Sequence, residues 1–384
     1  MKRPMKRFWI LPTLLFAATA CAPQGGYTLI GEVPEVWEGK SVVLYAVDGG
    51  SAEPLDSTTV SGGQFRLKGV LATPRRCRGV VYLNPNDRTA RDTRISFEVL
   101  LDSTQVTARY DALQGQEAFT LSGGATQEAM QEFRREQAAL SGAYDRLFDE
   151  YIDTFYHRSD RQKGIALARR LTQLNEQILS RKIDYIRSHP NSGVSLQLAD
   201  EVAHNAAIPT RDTLTALIGM LAPDLRASAA GQRLATLARS KRMLCGEQLP
   251  DLTVIDPQGQ PHSLSELLLP GHCTLVEIWA SWCSPCRDDI PYLREAYARY
   301  HDRGFDIVGI SIDTQCDAWQ QALASEKMAW RQYNDPERRS FGAFETGSVP
   351  TSILVDEQGR ILLLEARGGW LGAALETRYD KQRK

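Results

Sequence analysis

Residues 276–293 read VEIWASWCSPCRDDIPYL. The stretch begins inside the apolar run CTLVEIWA (273–280), of the kind a fully buried strand carries. It passes through Cys283 and Cys286 into DDIPYLREAYARYHDRG (288–304), which reads as a helix. A C-x-x-C between a strand and a helix is a redox motif. A helix N-terminus presents unpaired N–H groups and the positive end of the dipole. That environment favours a thiolate on Cys283 and lowers its pKa below the free-thiol value of about 8.5. Three-residue spacing on the first turn brings the two sulfurs within bonding reach. Cys283 can then attack a substrate disulfide, and the more buried Cys286 can resolve the mixed disulfide.

Other uses of such a pair fit less well. A structural zinc site needs a second ligand pair, and the six histidines are scattered. A c-type haem attachment needs His after the second cysteine, where Arg287 stands. A purely structural disulfide leaves the flanking Trp282 and Pro285 unexplained.

Outward from this motif the pattern stays α/β. FDIVGISID (305–313) is a second buried strand, TSILVDEQGRILLLEARGG (351–369) a hairpin turning at EQGR, and GWLGAALETRY (369–379) a closing helix. WASWCSPC resembles the active site of thioredoxin-like proteins. From about Gly246 onward the chain is similar to the TlpA/ResA-like branch, membrane-tethered thiol–disulfide oxidoreductases of the bacterial envelope. GEQLPDLTVIDPQGQPHSLSEL (246–267) resembles that branch's opening strand and hairpin. RDDIPYL carries an acid, Asp289, three residues after the second cysteine, where the branch usually has Glu. SVPTSILVDEQGRI resembles the proline loop and final hairpin.

The resemblance implies roles for further residues. Pro350, in Val349-Pro350-Thr351, aligns with the cis-proline that faces the cysteines, and the Val349 backbone would pair there with an extended substrate segment. Glu277, six residues before Cys283, holds the place of a buried acid beneath the disulfide. A desolvated carboxyl there has a raised pKa and can take the proton of Cys286. Trp282 is expected to pack beside Cys283 and shield it. No histidine lies between the cysteines, which tilts the pair toward reduction. No metal or organic cofactor is required. A membrane electron donor of the DsbD/CcdA type is the implied recycling partner, and proteins with disulfides or thiols are the implied substrates.

The first twenty residues read as a secretory signal: Lys2, Arg3, Lys6 and Arg7, then an uncharged run from Phe8 to Ala20. That run is shorter than the roughly 20 apolar residues a spanning helix needs. Cys21 follows small residues and resembles a bacterial lipobox cysteine, which predicts acylation, a short tether over 21–26 and a periplasm-facing, lipid-anchored location. Ala22 after it is compatible with outer-membrane placement.

Residues 27–124 carry short strand-like runs split by turns and predict a β-sandwich. Val43, Tyr45 and Val47 alternate as in a half-buried strand, and Gly62-Gly63 marks a hairpin turn. Residues 125–243 predict a helical connector. Phe133, Leu140, Tyr144, Leu147 and Tyr151 form one stripe, and Leu167, Leu171, Leu174 and Ile178 another. Ser159 with Gln162 fits a capping box opening the second helix, and Pro190 closes it. The N-terminal two-thirds is similar to Bacteroidetes-type envelope lipoproteins with a β domain of unknown function. Residues 244–384 complete a multidomain chain with the thioredoxin-like fold.

The chain has 384 residues and a formal net charge of −2. No basic stripe interleaved with aromatics points to nucleic acid. Of seven cysteines, Cys77, Cys245, Cys273 and Cys316 lie outside the anchor and the C-x-x-C. They can pair or stay free, and Cys245 with Cys273 is the favoured pairing. Two other activities remain open. A peroxiredoxin-like peroxidase shares the fold, but Ala280 stands where that site needs Thr. A binding lipoprotein would make the redox domain accessory.

Overall fold

A computed structural model describes residues 26–47, 52–84, 93–113, 118–205 and 210–380. The expected signal segment, Cys21 and nearly all of the tether lie outside the described residues.

The N-terminal strands are β1 (Gly26–Glu32), β2 (Ser41–Ala46), β3 (Glu53–Thr59), β4 (Gln64–Val70), β5 (Arg75–Tyr82), β6 (Arg94–Leu101), β7 (Gln105–Tyr110) and β8 (Phe119–Ser122). They form two four-stranded sheets, ordered β4-β1-β7-β8 and β3-β2-β5-β6. Leu29, Leu44, Phe65, Leu67, Phe97 and Leu101 meet in their shared core. Two expectations are corrected here. Gly62 and Gly63 do form a tight turn, both at positive φ, with Ser61 and Gln64 exchanging backbone hydrogen bonds. Its arms β3 and β4 nevertheless enter different sheets, so the turn is a sheet-to-sheet corner. In β2, Val42, Leu44 and Ala46 face the core. Val43 packs with Val80, Tyr82 and Tyr45 on the outer face, where the Tyr45 and Tyr82 hydroxyls bond at 2.9 Å. Both faces of β2 are covered, which conceals its inward side from an alternation argument.

The helices that follow are α1 (Ala125–Ile152), α2 (Arg161–Ser188), α3 (Gly193–Ala203), α4 (Arg211–Met220), α5 (Pro223–Ala227) and α6 (Ala229–Ser240). The sandwich grips the start of α1. Asp102 accepts from the Thr126 N–H at 2.9 Å, and the Gln127 side chain accepts from the Leu100 N–H at 2.8 Å. A π-helical turn, Asp153–His157, ends α1. The cap of α2 is Asp160, which accepts from Lys163 N–H, and not Ser159 as the capping-box pattern predicts. Ser159 sits at φ 56°, already inside the reversal.

The C-terminal elements are β9 (Thr253–Ile255), β10 (Pro261–Ser263), α7 (Leu264–Leu267), β11 (Cys273–Trp279), α8 (Ser284–Tyr300), β12 (Phe305–Ser311), α9 (Cys316–Glu326), β13 (Arg331–Asn334), α10 (Arg339–Ala343), β14 (Thr351–Val355), β15 (Ile361–Leu364) and α11 (Gly368–Leu375). Their seven-stranded sheet runs β10-β9-β13-β12-β11-β14-β15. β11 is buried along its whole length, parallel to β12 and antiparallel to β14. One face packs Val276, Ile278, Val308, Ile310 and Trp319 with Cys283 and Cys286.

The other face is not closed by the C-terminal domain alone. Cys273, Leu275, Ile290, Leu293, Leu371 and Leu375 share one core with Leu147, Tyr151, Phe155, Ile165 and Leu171 of α1, the π turn and α2. The far halves of α1 and α2 make a separate core with α3–α6 and Leu100 of β6. α1 therefore runs from the sandwich to the redox domain as one element.

Candidate active site

β11 delivers the chain to the site, and α8 receives it. Cys283 is the N-cap of α8, and its sulfur accepts from the Cys286 N–H at 3.3 Å. This is where a helix stabilises negative charge. The two cysteines are bonded to each other. Both are buried as a disulfide, Cys283 4% and Cys286 2% exposed. The loop before them is pinned by Asp313, which accepts from Ser281 N–H and Oγ, both at 2.8 Å. Pro291 sits inside α8, where it removes one helical hydrogen bond.

Trp282 is 63% exposed. It stands out beside the nucleophile instead of covering it, a correction to the expected shielding role. The Val349–Pro350 bond is cis. Val349 packs against the cluster that holds both cysteines. The Thr351 hydroxyl donates to Ser348 O at 2.9 Å and pairs with Thr346 Oγ1 at 2.9 Å, which fixes this loop.

Glu277 is 5% exposed and lies opposite Ser352 in the β11–β14 ladder. Side chains alternate across a sheet, so Glu277 shares the face of Cys273 and Leu275, the face the connector covers. Burial, reinforced by the carboxyl of Asp289, pushes its pKa up to about 8, against the pull of Arg367.

Three further residues complete this buried cluster, and sequence reasoning gave none of them a role. Arg367, just before α11, donates to Asp289 Oδ2 at 2.6 Å and to the Pro285 carbonyl at 3.3 Å. The Tyr156 hydroxyl, from the π turn, donates to the other Asp289 oxygen at 3.0 Å. Glu365, solvent-exposed at the rim of the cluster and at φ 52°, has a pKa raised by partial desolvation and opposed by Arg367. Asp289 is 2% exposed, and burial raises its pKa against the pull of Arg367. The Arg367 charge is disfavoured by burial but held by Asp289, so its pKa rises. The only signal for Arg367 was a lone cation between an apolar strand and Gly368-Gly369. Tyr156 gave none.

The favoured Cys245–Cys273 pairing is not formed. Cys245 packs with the cluster on one face of the sheet and Cys273 with that on the other, and both are free. Cys77 is buried within β5 and Cys316 is exposed at the start of α9.

Comparison with known proteins places these features. Residues 245–363 match the AhpC/TSA family, and residues 27–130 match a domain of unknown function, DUF4369. The thiol-disulfide oxidoreductase ResA of Bacillus cereus is 26% identical over 125 residues, 33% of this chain and 71% of the relative. The thioredoxin domain of a thiol-disulfide oxidoreductase from Bacteroides vulgatus is 33% identical, with 35% of this chain and 96% of that one covered, at a TM-score of 0.33. A thiol:disulfide interchange protein from Bacteroides sp. is 31% identical, covering 36% and 92%, at a TM-score of 0.34.

Proposed function

We propose that this protein, a thiol–disulfide oxidoreductase whose residues 245–363 belong to the AhpC/TSA family, reduces disulfides of protein substrates in the bacterial cell envelope. The observation that carries this is the Cys283–Cys286 disulfide at the mouth of α8, with a buried acid on the preceding strand. In the reduced protein the Cys283 thiolate attacks one sulfur of a substrate disulfide. A mixed disulfide forms, and the first substrate sulfur leaves as a thiolate and takes up a proton. Cys286 passes its proton to ionised Glu277, then attacks the Cys283 sulfur and expels the second substrate thiolate, which takes up a proton from solvent. The substrate gains two electrons and two protons, and the protein is left as the disulfide described here. Trp282 and the Val349–Thr351 loop border the cysteines and are the docking elements for the substrate chain.

Reduction is favoured over oxidation because Ser284 and Pro285, between the cysteines, offer no cation to stabilise the thiolate further. A membrane dithiol donor of the DsbD/CcdA type would restore the dithiol. The signal pattern of residues 1–20 and Cys21 supports an envelope location with a lipid anchor.

Trapping tests this reading. Prereduced Cys286→Ala protein, added to envelope proteins bearing disulfides, is expected to accumulate mixed disulfides through Cys283 that a reductant releases. Cys283→Ala should trap none. Equal trapping by both variants, or none by either, overturns the assignment.

A further inference from the structure

The acid cluster between β11 and α8 is assembled from four separate parts of the chain. Glu277 comes from β11, Asp289 from α8, Arg367 from the turn before α11, and Tyr156 from the helical connector. Glu277 and Asp289 are both nearly excluded from solvent; the Asp289 carboxyl raises the cost of ionising Glu277, and Asp288 raises that of Asp289. Such a pair does not ionise fully near neutrality and titrates as a unit. What differs is their partners. Asp289 accepts a hydrogen bond on each oxygen, one from a tyrosine and one from a guanidinium. Glu277 has at most one side-chain donor, the Ser352 hydroxyl opposite it in the ladder, and Arg367 and Glu365 are its other charged neighbours. Hydrogen bonds to the charged form hold a carboxylate ionised.

We propose that Tyr156 and Arg367 claim Asp289 as the anion and so place the proton shared by the two acids on Glu277, which makes the helical connector part of the redox site. This rests on the thiol–disulfide reading and assigns Tyr156 and Arg367 as positioning residues. The proton held on Glu277 is the one Cys286 gave up when the disulfide closed. Arg367 also bonds the Pro285 carbonyl, inside the C-x-x-C turn, so the group that sets the proton's place touches the backbone that sets the sulfurs.

The docking of Tyr156 is built in, not incidental. The Tyr151 hydroxyl, one turn earlier, accepts from the Gly369 N–H at 3.0 Å. A Cβ on Gly368 would lie 2.4 Å from the Tyr151 hydroxyl and 2.8 Å from that of Tyr156. Gly368 is also at φ 48°. The chain keeps glycine where the connector's two tyrosines reach the start of α11.

The test is the pH dependence of insulin-disulfide reduction by prereduced full-length protein, with far-UV circular dichroism as a check of folding. Tyr156→Phe removes one donor to the pair's anion, so the midpoint of the limb near neutral pH should move up. Asp289→Asn removes the neighbouring negative charge from Glu277, so the midpoint should move down by about one pH unit. In the Asp289→Asn background, adding Tyr156→Phe should move nothing, because its partner carboxylate is gone. A Tyr156→Phe profile that coincides with wild type, or a shift that survives in the Asp289→Asn background, overturns the proposal. If Tyr156→Phe fails to fold, an Asp289→Asn midpoint that does not fall overturns it instead. Failure of the wild-type protein to reduce insulin at any pH overturns the underlying reading, not this one alone.

Discussion

Glu277 is where residue chemistry and stability meet. Its carboxyl is held up to about 8 when folded, far above the range it has in an unfolded chain. The native state therefore binds one more proton than the unfolded state between those values. Stability must fall as pH rises through that window, and flatten beyond it. The oxidised protein is expected to melt several degrees lower at pH 8 than at pH 5, and Glu277→Gln to lose most of that slope, as read by thermal melts across pH. A slope unchanged in the variant would mean that another group carries it. Cys283 and Cys286 were legible in the sequence because they lie in a contiguous strand–C-x-x-C–helix motif whose spacing states its chemistry, whereas Glu277 and Pro350 were reached only through the resemblance to thioredoxin-like proteins. Arg367 and Tyr156 were reached by neither route. They sit 78 and 133 positions from Asp289, and no local pattern brings them there. Trp282 was placed correctly along the chain but wrongly in space, since periodicity does not say whether a side chain at a helix mouth turns in or out.

At the scale of elements, strands and helices were readable where one face is polar, and less so where both are covered. β11 and β12, buried throughout, announced themselves by continuous apolar runs. β2 gave an alternation, but its inward face was the unremarked Val42, Leu44 and Ala46. The Gly62-Gly63 turn was recognisable by its residues, while the divergence of its strands depends on sheets that form from distant segments. The junction of α2 with α11 shows what an element pair costs to disturb. A Cβ on Gly369 would come within 2.9 Å of Ala168 Cβ and of the Tyr151 ring. Gly369→Ala is expected to destabilise by about 1–3 kcal/mol through overpacking. Calorimetry of full-length protein checks this, and a variant as stable as wild type would show that α2 and α11 can move apart freely.

For the whole molecule, the division into three successive domains is a statement about sequence order more than about cores. The β-rich, helical and thioredoxin-like parts follow one another as their composition implies, yet the connector splits its loyalty between two cores. Ile290, Leu293, Leu371 and Leu375 are buried partly by Phe155, Ile165 and Leu171 from outside the C-terminal part. A fragment spanning 244–384 is therefore expected to expose an apolar face, bind a hydrophobic dye and melt below the full chain. A fragment that melts with the full chain and binds no dye would show that the shared core adds little. Composition could not reveal this, because an amphipathic stripe says that a partner exists and not which one.

α1 spans 28 residues. At a rise of roughly 1.5 Å each this is a rod of about 42 Å, gripped at one end by Asp102 and Leu100 and at the other by the tyrosine-lined dock. Such a rod acts as a ruler. Whatever fixes the sandwich in space thereby also fixes how far from it Cys283 and Cys286 sit.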